Sequence, residues 1–178
     1  MTNNAILVGN SSQPVGRGLG NIVDSFDFVI RINDFVLEGF EKDYGSKTDI
    51  WVTNGGVVRH PRDPSVFKES WVCSPDFDRT VAGIERRIPL EAIQEVNHLF
   101  RTMFKGGSKY PTTGLYCALF FARRFSKLFV LGLNDIGSKV HYFEEDLRLA
   151  KMSLAAHDPK AESSVFNHLV GLGLIVPV

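Results

Sequence analysis

Two histidines have neighbours that suit them to proton transfer. In HDPKAE, residues 157–162, His157 immediately precedes a helix start, with Asp158 as N-cap and Pro159 at the first helical position. The positive end of a helix disfavours a proton on the ring, and a neutral imidazole is a general base. In HYFEED, residues 141–146, His141 and Tyr142 occupy a loop after an apolar run. His60, His98 and His168 read as ordinary solvated or core histidines. A second group consists of small and amide residues closing apolar runs: Gly9, Asn10, Ser11 and Ser12; then Arg31, Asn33 and Asp34; then Asn54; then Gly132 and Asn134. Such groups hydrogen-bond a base, a ribose or a phosphate and leave room for it, although amides and glycine also favour plain turns. A third group, YPTTG at 110–114, puts Thr112, Thr113 and Gly114 at the start of an apolar helix, where free N–H groups favour an anion.

Other chemistries fit poorly. Gly16, Gly18 and Gly20 run G-x-G-x-G, without the spacing of a dinucleotide fingerprint, and Arg31 and Asn33 stand where an acidic ribose partner belongs. No G-x-x-x-x-G-K-[ST] phosphate loop is present. Asp76-Phe77-Asp78 is the only D-x-D, and two acids in a loop are a weak metal signal. The cysteines and histidines lack zinc spacing, so no metal and no cofactor is expected.

The elements that position these residues follow from the apolar pattern. Runs at 4–9, 27–32, 48–53, 70–74 and 127–133 are mostly continuous rather than alternating, as in strands covered on both faces. Between them, Ile93, Val96, Phe100 and Met103 recur at helical spacing in 89–104. Residues 112–125 are apolar almost all round, and 159–171 puts Ala161, Val165 and Leu169 on one face, with Leu172 one turn on. This alternation predicts an α/β fold, a single-domain three-layer α/β/α sandwich over 1–178 with a mainly parallel, Rossmann-like sheet. Ligands of such sheets bind at the carboxyl ends of the strands.

At 178 residues and 44% hydrophobic content the chain suits one core. Twenty basic and twenty acidic side chains balance, so nucleic acid is a poor partner. The longest apolar stretch, 114–122, is far short of the ~20 residues of a membrane span, and no signal peptide is recognisable. Cys73 and Cys117 read as buried thiols, and a cytoplasmic location is expected.

Taken in order, these residues resemble the sialyltransferases of glycosyltransferase family 29. The long motif is similar to Val8-Gly9-Asn10-Ser11, Gly20 to Asp24, Asp27 to Asn33 and Tyr44-Gly45-Ser46-Lys47-Thr48. The short motif resembles Pro111-Thr112-Thr113-Gly114 with Val130-Leu131-Gly132 downstream. His141-Tyr142-Phe143-Glu144 resembles the third motif, and His157 to Glu162 the H-x-x-x-x-E of the last. The family's disulfide positions fall at Ala5 and Phe125, its anchor and stem are not seen, and the region between the first two motifs is short. The bacterial sialyltransferases of family 42 share the G-N and R-x-N pattern.

The resemblance implies the GT-A variant of the sialyltransferases and metal-independent, inverting transfer of sialic acid from CMP-sialic acid to a glycan hydroxyl. Asn10, Ser11 and Asn33 would contact phosphate and ribose, and Thr112, Thr113, Gly114 and Gly132 would line the nucleotide from the other side. His157 would be the general base, and His141, with Tyr142, would stabilise the departing phosphate. Glu162 matches a motif position with no derivable role. Two alternatives stay open: another CMP-sugar donor such as CMP-Kdo, and a non-catalytic CMP-binding module.

Overall fold

The computed structural model describes residues 3–56, 60, 62–74, 79–103, 109–133, 141–143 and 156–178. Asp76 to Asp78, Asn134 and Glu144 lie outside the described residues. The elements in chain order are β1 (Asn4–Val8), α1 (Gly20–Asp24), β2 (Phe28–Ile32), α2 (Glu41–Tyr44), β3 (Ile50–Thr53), β4 (Glu69–Val72), β5 (Arg86–Arg87), α3 (Leu90–Met103), α4 (Thr113–Ala122), β6 (Lys127–Leu131), α5 (Pro159–Gly171) and β7 (Ile175–Pro177). All seven strands join one sheet in the order β5-β4-β3-β2-β1-β6-β7, and every pairing is parallel.

The continuous apolar runs are the central strands, and the period of two sorts their side chains between two cores. Ala5, Leu7, Ile30, Ile50, Val52, Leu128 and Val130 face α3, α4 and α5. Ile6, Val8, Val29 and Leu131 face the opposite way, against Val23 of α1 and Tyr44 of α2. Trp51 and Val72 continue that second face with Phe35 and Ile84. The expected sandwich is therefore present, and among the described residues three longer helices lie on one face and two short helices with loops on the other. Met103 and Leu172, expected on the inward stripes, are 41% and 60% exposed. Each sits where its helix ends, so the stripe runs past the edge of the sheet.

Arg31 organises the second layer. It is 1% exposed, and Asp24 is a carboxylate whose charge favours its protonated form. Its guanidinium donates to the carbonyls of Tyr44, Gly45 and Lys47 and to Thr48 Oγ1, at 2.7–3.2 Å. Burial pulls its pKa down to about 10. Asp24 holds the same segment from the other side by accepting from Ser46 N and Lys47 N at 2.9 Å. Gly45 has a positive φ of 70°, and a Cβ there would lie 2.3 Å from Asp24 Oδ1, so only glycine fits. Asp43 accepts from Gly16 N and Gly18 N at 2.7 Å each, fastening the glycine-rich connection between β1 and β2.

Removing the guanidinium leaves several buried carbonyls without donors. Arg31→Ala is expected to cost at least about 3 kcal/mol in urea unfolding, whereas Lys127→Ala, at an exposed position, should stay within about 0.5 kcal/mol.

Candidate active site

The strand order reverses at β1, which has β2 on one side and β6 on the other. From there β1 leads on to β2 on one side and β6 to β7 on the other, and the crevice at their carboxyl ends is the place where doubly wound sheets bind ligands. Gly9 and Gly132 close its floor. Gly9 N donates to Leu131 O at 2.8 Å and Ser11 N to Gly132 O at 3.1 Å. A Cβ on Gly9 would lie 2.3 Å from Gly132 O, and Gly132 itself has a φ of 67°. Asn10 is buried and its Nδ2 donates to Ile32 O at 3.2 Å and Asp34 O at 2.8 Å, tying the end of β1 to the end of β2. The Ser11 hydroxyl is buried without a partner among the described residues, while its carbonyl accepts from Tyr44 Oη at 2.6 Å.

The helical wall is laced together by four hydrogen bonds. Thr112 caps α4, and Glu162 of α5 accepts from both Thr112 N at 2.6 Å and Thr112 Oγ1 at 2.9 Å. Tyr110 N donates to Ala156 O at 3.1 Å, and His157 Nδ1 lies 2.7 Å from Tyr110 O. A carbonyl can only accept, so Nδ1 carries the hydrogen and the neutral ring keeps its lone pair on Nε2. Asp158 caps α5 by accepting from Lys160 N and Ala161 N. Burial raises the Glu162 pKa to about 7, against the lowering effect of the bonds from Thr112. Between α4 and α5 a cavity of about 240 Å³ is lined by Thr112, Gly114, Leu133, Glu162, Ser163 and Asn167 among others. Leu133 connects it to the floor, because a Cβ on either Gly9 or Gly114 would strike its Cδ2.

The sheet-side wall is formed after β2. Asn33 takes a left-handed φ of 52°, which its short amide tolerates. Its Oδ1 accepts from Asn54 N at 3.0 Å and its carbonyl from Trp51 Nε1 at 2.8 Å. Tyr142 N donates to Asn10 O at 3.0 Å, and its ring stacks on Tyr44 at 3.8 Å between centroids. The Tyr142 hydroxyl accepts from Val36 N and donates to Val36 O. This clip holds His141 and Phe143 beside the strand ends, with the two rings stacked at 5.2 Å.

The crevice brings Asn10, Ser11, Asn33, Gly132, His141 and Tyr142 to adjoining strand ends, while Thr112, Thr113, Gly114 and His157 form the helical wall. Within this set Tyr142 and Thr112 hold the framework: their hydroxyls bond Val36 and Glu162. Sequence reasoning left Glu162 without a role, and the structure assigns it to the α4 cap. It also treated His60 as ordinary, whereas its Nδ1 lies 3.0 Å from Asp34 Oδ2. Partners 50 and 26 residues apart leave no local signature. Among the described residues no three of His, Cys, Asp and Glu gather as metal ligands.

Residues 2–75 match the family model Glycosyltransferase family 29 (sialyltransferase). The chain is 27% identical over 203 residues to the CMP-N-acetylneuraminate-beta-1,4-galactoside alpha-2,3-sialyltransferase of Rattus norvegicus, with 93% of this chain and 54% of that protein covered. It is 44% identical to the enzyme of the same name from Homo sapiens, at the same coverage. The chain thus spans about half the length of the curated relatives it matches. Among solved structures, a mammalian sialyltransferase in complex with Gal-beta-1-3GalNAc-ortho-nitrophenol superposes with a TM-score of 0.70 at 21% identity, over 99% of this chain and 69% of that one. That likeness carries the fold.

The buried Glu162 has a pH consequence. The folded chain keeps its proton up to about pH 7, whereas an unfolded chain loses it near 4.5. Stability should therefore fall by about 3 kcal/mol as pH rises through that window. Urea unfolding of Glu162→Gln should show a flatter profile between pH 4.5 and 8, and parallel profiles for the two proteins would remove this role.

Proposed function

The chain is glycosyltransferase family 29-like in sequence and fold, and on that premise we propose that it transfers sialic acid from CMP-sialic acid to a glycan hydroxyl. The reading is carried by His157, whose Nδ1 is engaged by the Tyr110 carbonyl at 2.7 Å so that Nε2 is the basic atom.

In this proposal the nucleotide lies across the floor at Gly9 and Gly132. Asn10, Ser11 and Asn33 contact phosphate and ribose from the sheet side. Thr113 and Gly114 offer first-turn N–H groups from α4, which lack acceptors within the helix. The Ser11 hydroxyl, unpartnered among the described residues, supports a polar ligand there, since a buried hydroxyl without a partner is costly. His157 Nε2 takes the proton of the acceptor hydroxyl as its oxygen attacks the anomeric carbon from the face opposite the nucleotide. The bond from that carbon to the phosphate oxygen breaks, its electron pair goes to CMP, and the sugar inverts. His141 donates to the departing phosphate. A monophosphate leaves with less charge than a diphosphate, so imidazole and helix N–H groups suffice and no metal is required.

Calorimetric titration with CMP in EDTA, followed by CMP-sialic acid turnover with and without a lactose-type acceptor, tests the proposal. CMP binding with acceptor-dependent CMP release is expected, and absence of CMP binding would contradict it. His157→Ala should lower transfer by roughly 10²- to 10⁴-fold while CMP affinity stays within about twofold. Transfer near the wild-type rate would remove His157 as base.

A further inference from the structure

The fold gives His60 a partner and a setting that its sequence position does not announce. Its Nδ1 lies 3.0 Å from Oδ2 of Asp34, the residue that follows Asn33 at the end of β2. The Asp34 side chain is 8% exposed and that of His60 48%. The carboxylate is therefore fixed in the wall while the ring reaches out of it. When the carboxylate accepts from Nδ1, Nε2 is left for whatever lies in front.

The surroundings favour negative charge at that point. The His60 ring meets Phe143 edge-on at 6.0 Å, and Phe143 also stacks with His141 at 5.2 Å, so one phenyl ring carries both imidazoles. Arg62 places its guanidinium over Phe35 at 3.7 Å and donates to Phe35 O. Its Nε is buried and has no partner among the described residues. The buried Asp34 carboxylate is thus faced by two groups able to carry positive charge, His60 at 3.0 Å and the Arg62 guanidinium, whose charge it favours. A loop needing only to be anchored would be satisfied by the Asp34 to His60 bond alone.

We propose that His60, oriented by Asp34, is a second oxyanion-binding group of the crevice and donates from Nε2 to an anionic oxygen of the donor. The oxyanion is either the nucleotide phosphate or the carboxylate of the transferred sugar, and this assignment rests on the donor proposed above. Asp34 is a positioning residue. With Nδ1–H on Asp34 and Nε2–H on the ligand, the ring binds as imidazolium, taking its second proton from solvent. No covalent bond of the ligand changes.

The test is calorimetry of the whole chain with CMP and with CMP-sialic acid. His60 is half exposed, so His60→Ala should fold, and the exposed His168→Ala serves as control. Loss of one charge-assisted bond predicts roughly 10- to 100-fold weaker binding for His60→Ala and no change for His168→Ala. Weakening of both ligands identifies the phosphate, and weakening of CMP-sialic acid alone identifies the sugar carboxylate. Asp34→Asn should weaken the same ligand, and the double variant should be no worse than His60→Ala, a non-additivity that a merely structural Asp34 would not show. Unchanged affinity of His60→Ala for both ligands overturns the proposal while leaving the donor reading intact. Failure of the wild-type chain to bind either ligand overturns both.

Discussion

The contact between Gly9 and Gly132 is the constraint on which the site depends. Two strand ends approach until a single Cβ would overlap a carbonyl oxygen, and the backbone hydrogen bonds from Gly9 and Ser11 hold them there. From this seam β1 leads on to β2 on one side and β6 to β7 on the other, and the strand ends at such a reversal are where doubly wound sheets bind ligands. A side chain at either position would both fill that floor and force the strands apart. Leu133 then carries the geometry sideways to Gly114, so the start of α4 is set by the same seam.

Around this floor the protein fills several natural anion positions with its own carboxylates. Asp43 occupies the N–H groups of Gly16 and Gly18, Asp24 those of Ser46 and Lys47, and Glu162 that of Thr112. Arg31 has the complementary task of satisfying carbonyls in the segment 44–48. Many polar residues in the motif-like stretches therefore act on the backbone, and the groups left facing the crevice are few.

The central sheet was legible because its strands are buried on both faces and read as unbroken apolar runs. The edge strands were not, since Arg86–Arg87 and Ile175–Pro177 are too short to show a period. Helices α1 and α2, of five and four residues, likewise present no repeating stripe. The helix over Pro159–Gly171 was legible to the residue because Asp158 and Pro159 mark its start chemically. For the site, position in sequence located Gly9, Asn10, Asn33 and Gly132 at strand ends and His157 just before the helix that Asp158 caps. It could not show that Thr112 meets Glu162, that Asn10 bridges two strands or that Asp34 meets His60, because each pairing is made by the sheet order rather than by local spacing.

Amide chemical-shift mapping during CMP titration tests the central claim most directly, because it reports where along the chain the nucleotide lies. The account predicts that the largest changes fall at Gly9 to Ser12, Asn33, Thr113, Gly114 and Gly132. Changes concentrated instead in the open groove beside β4 and β5, around Phe67, Ser70 and Arg86, would contradict it.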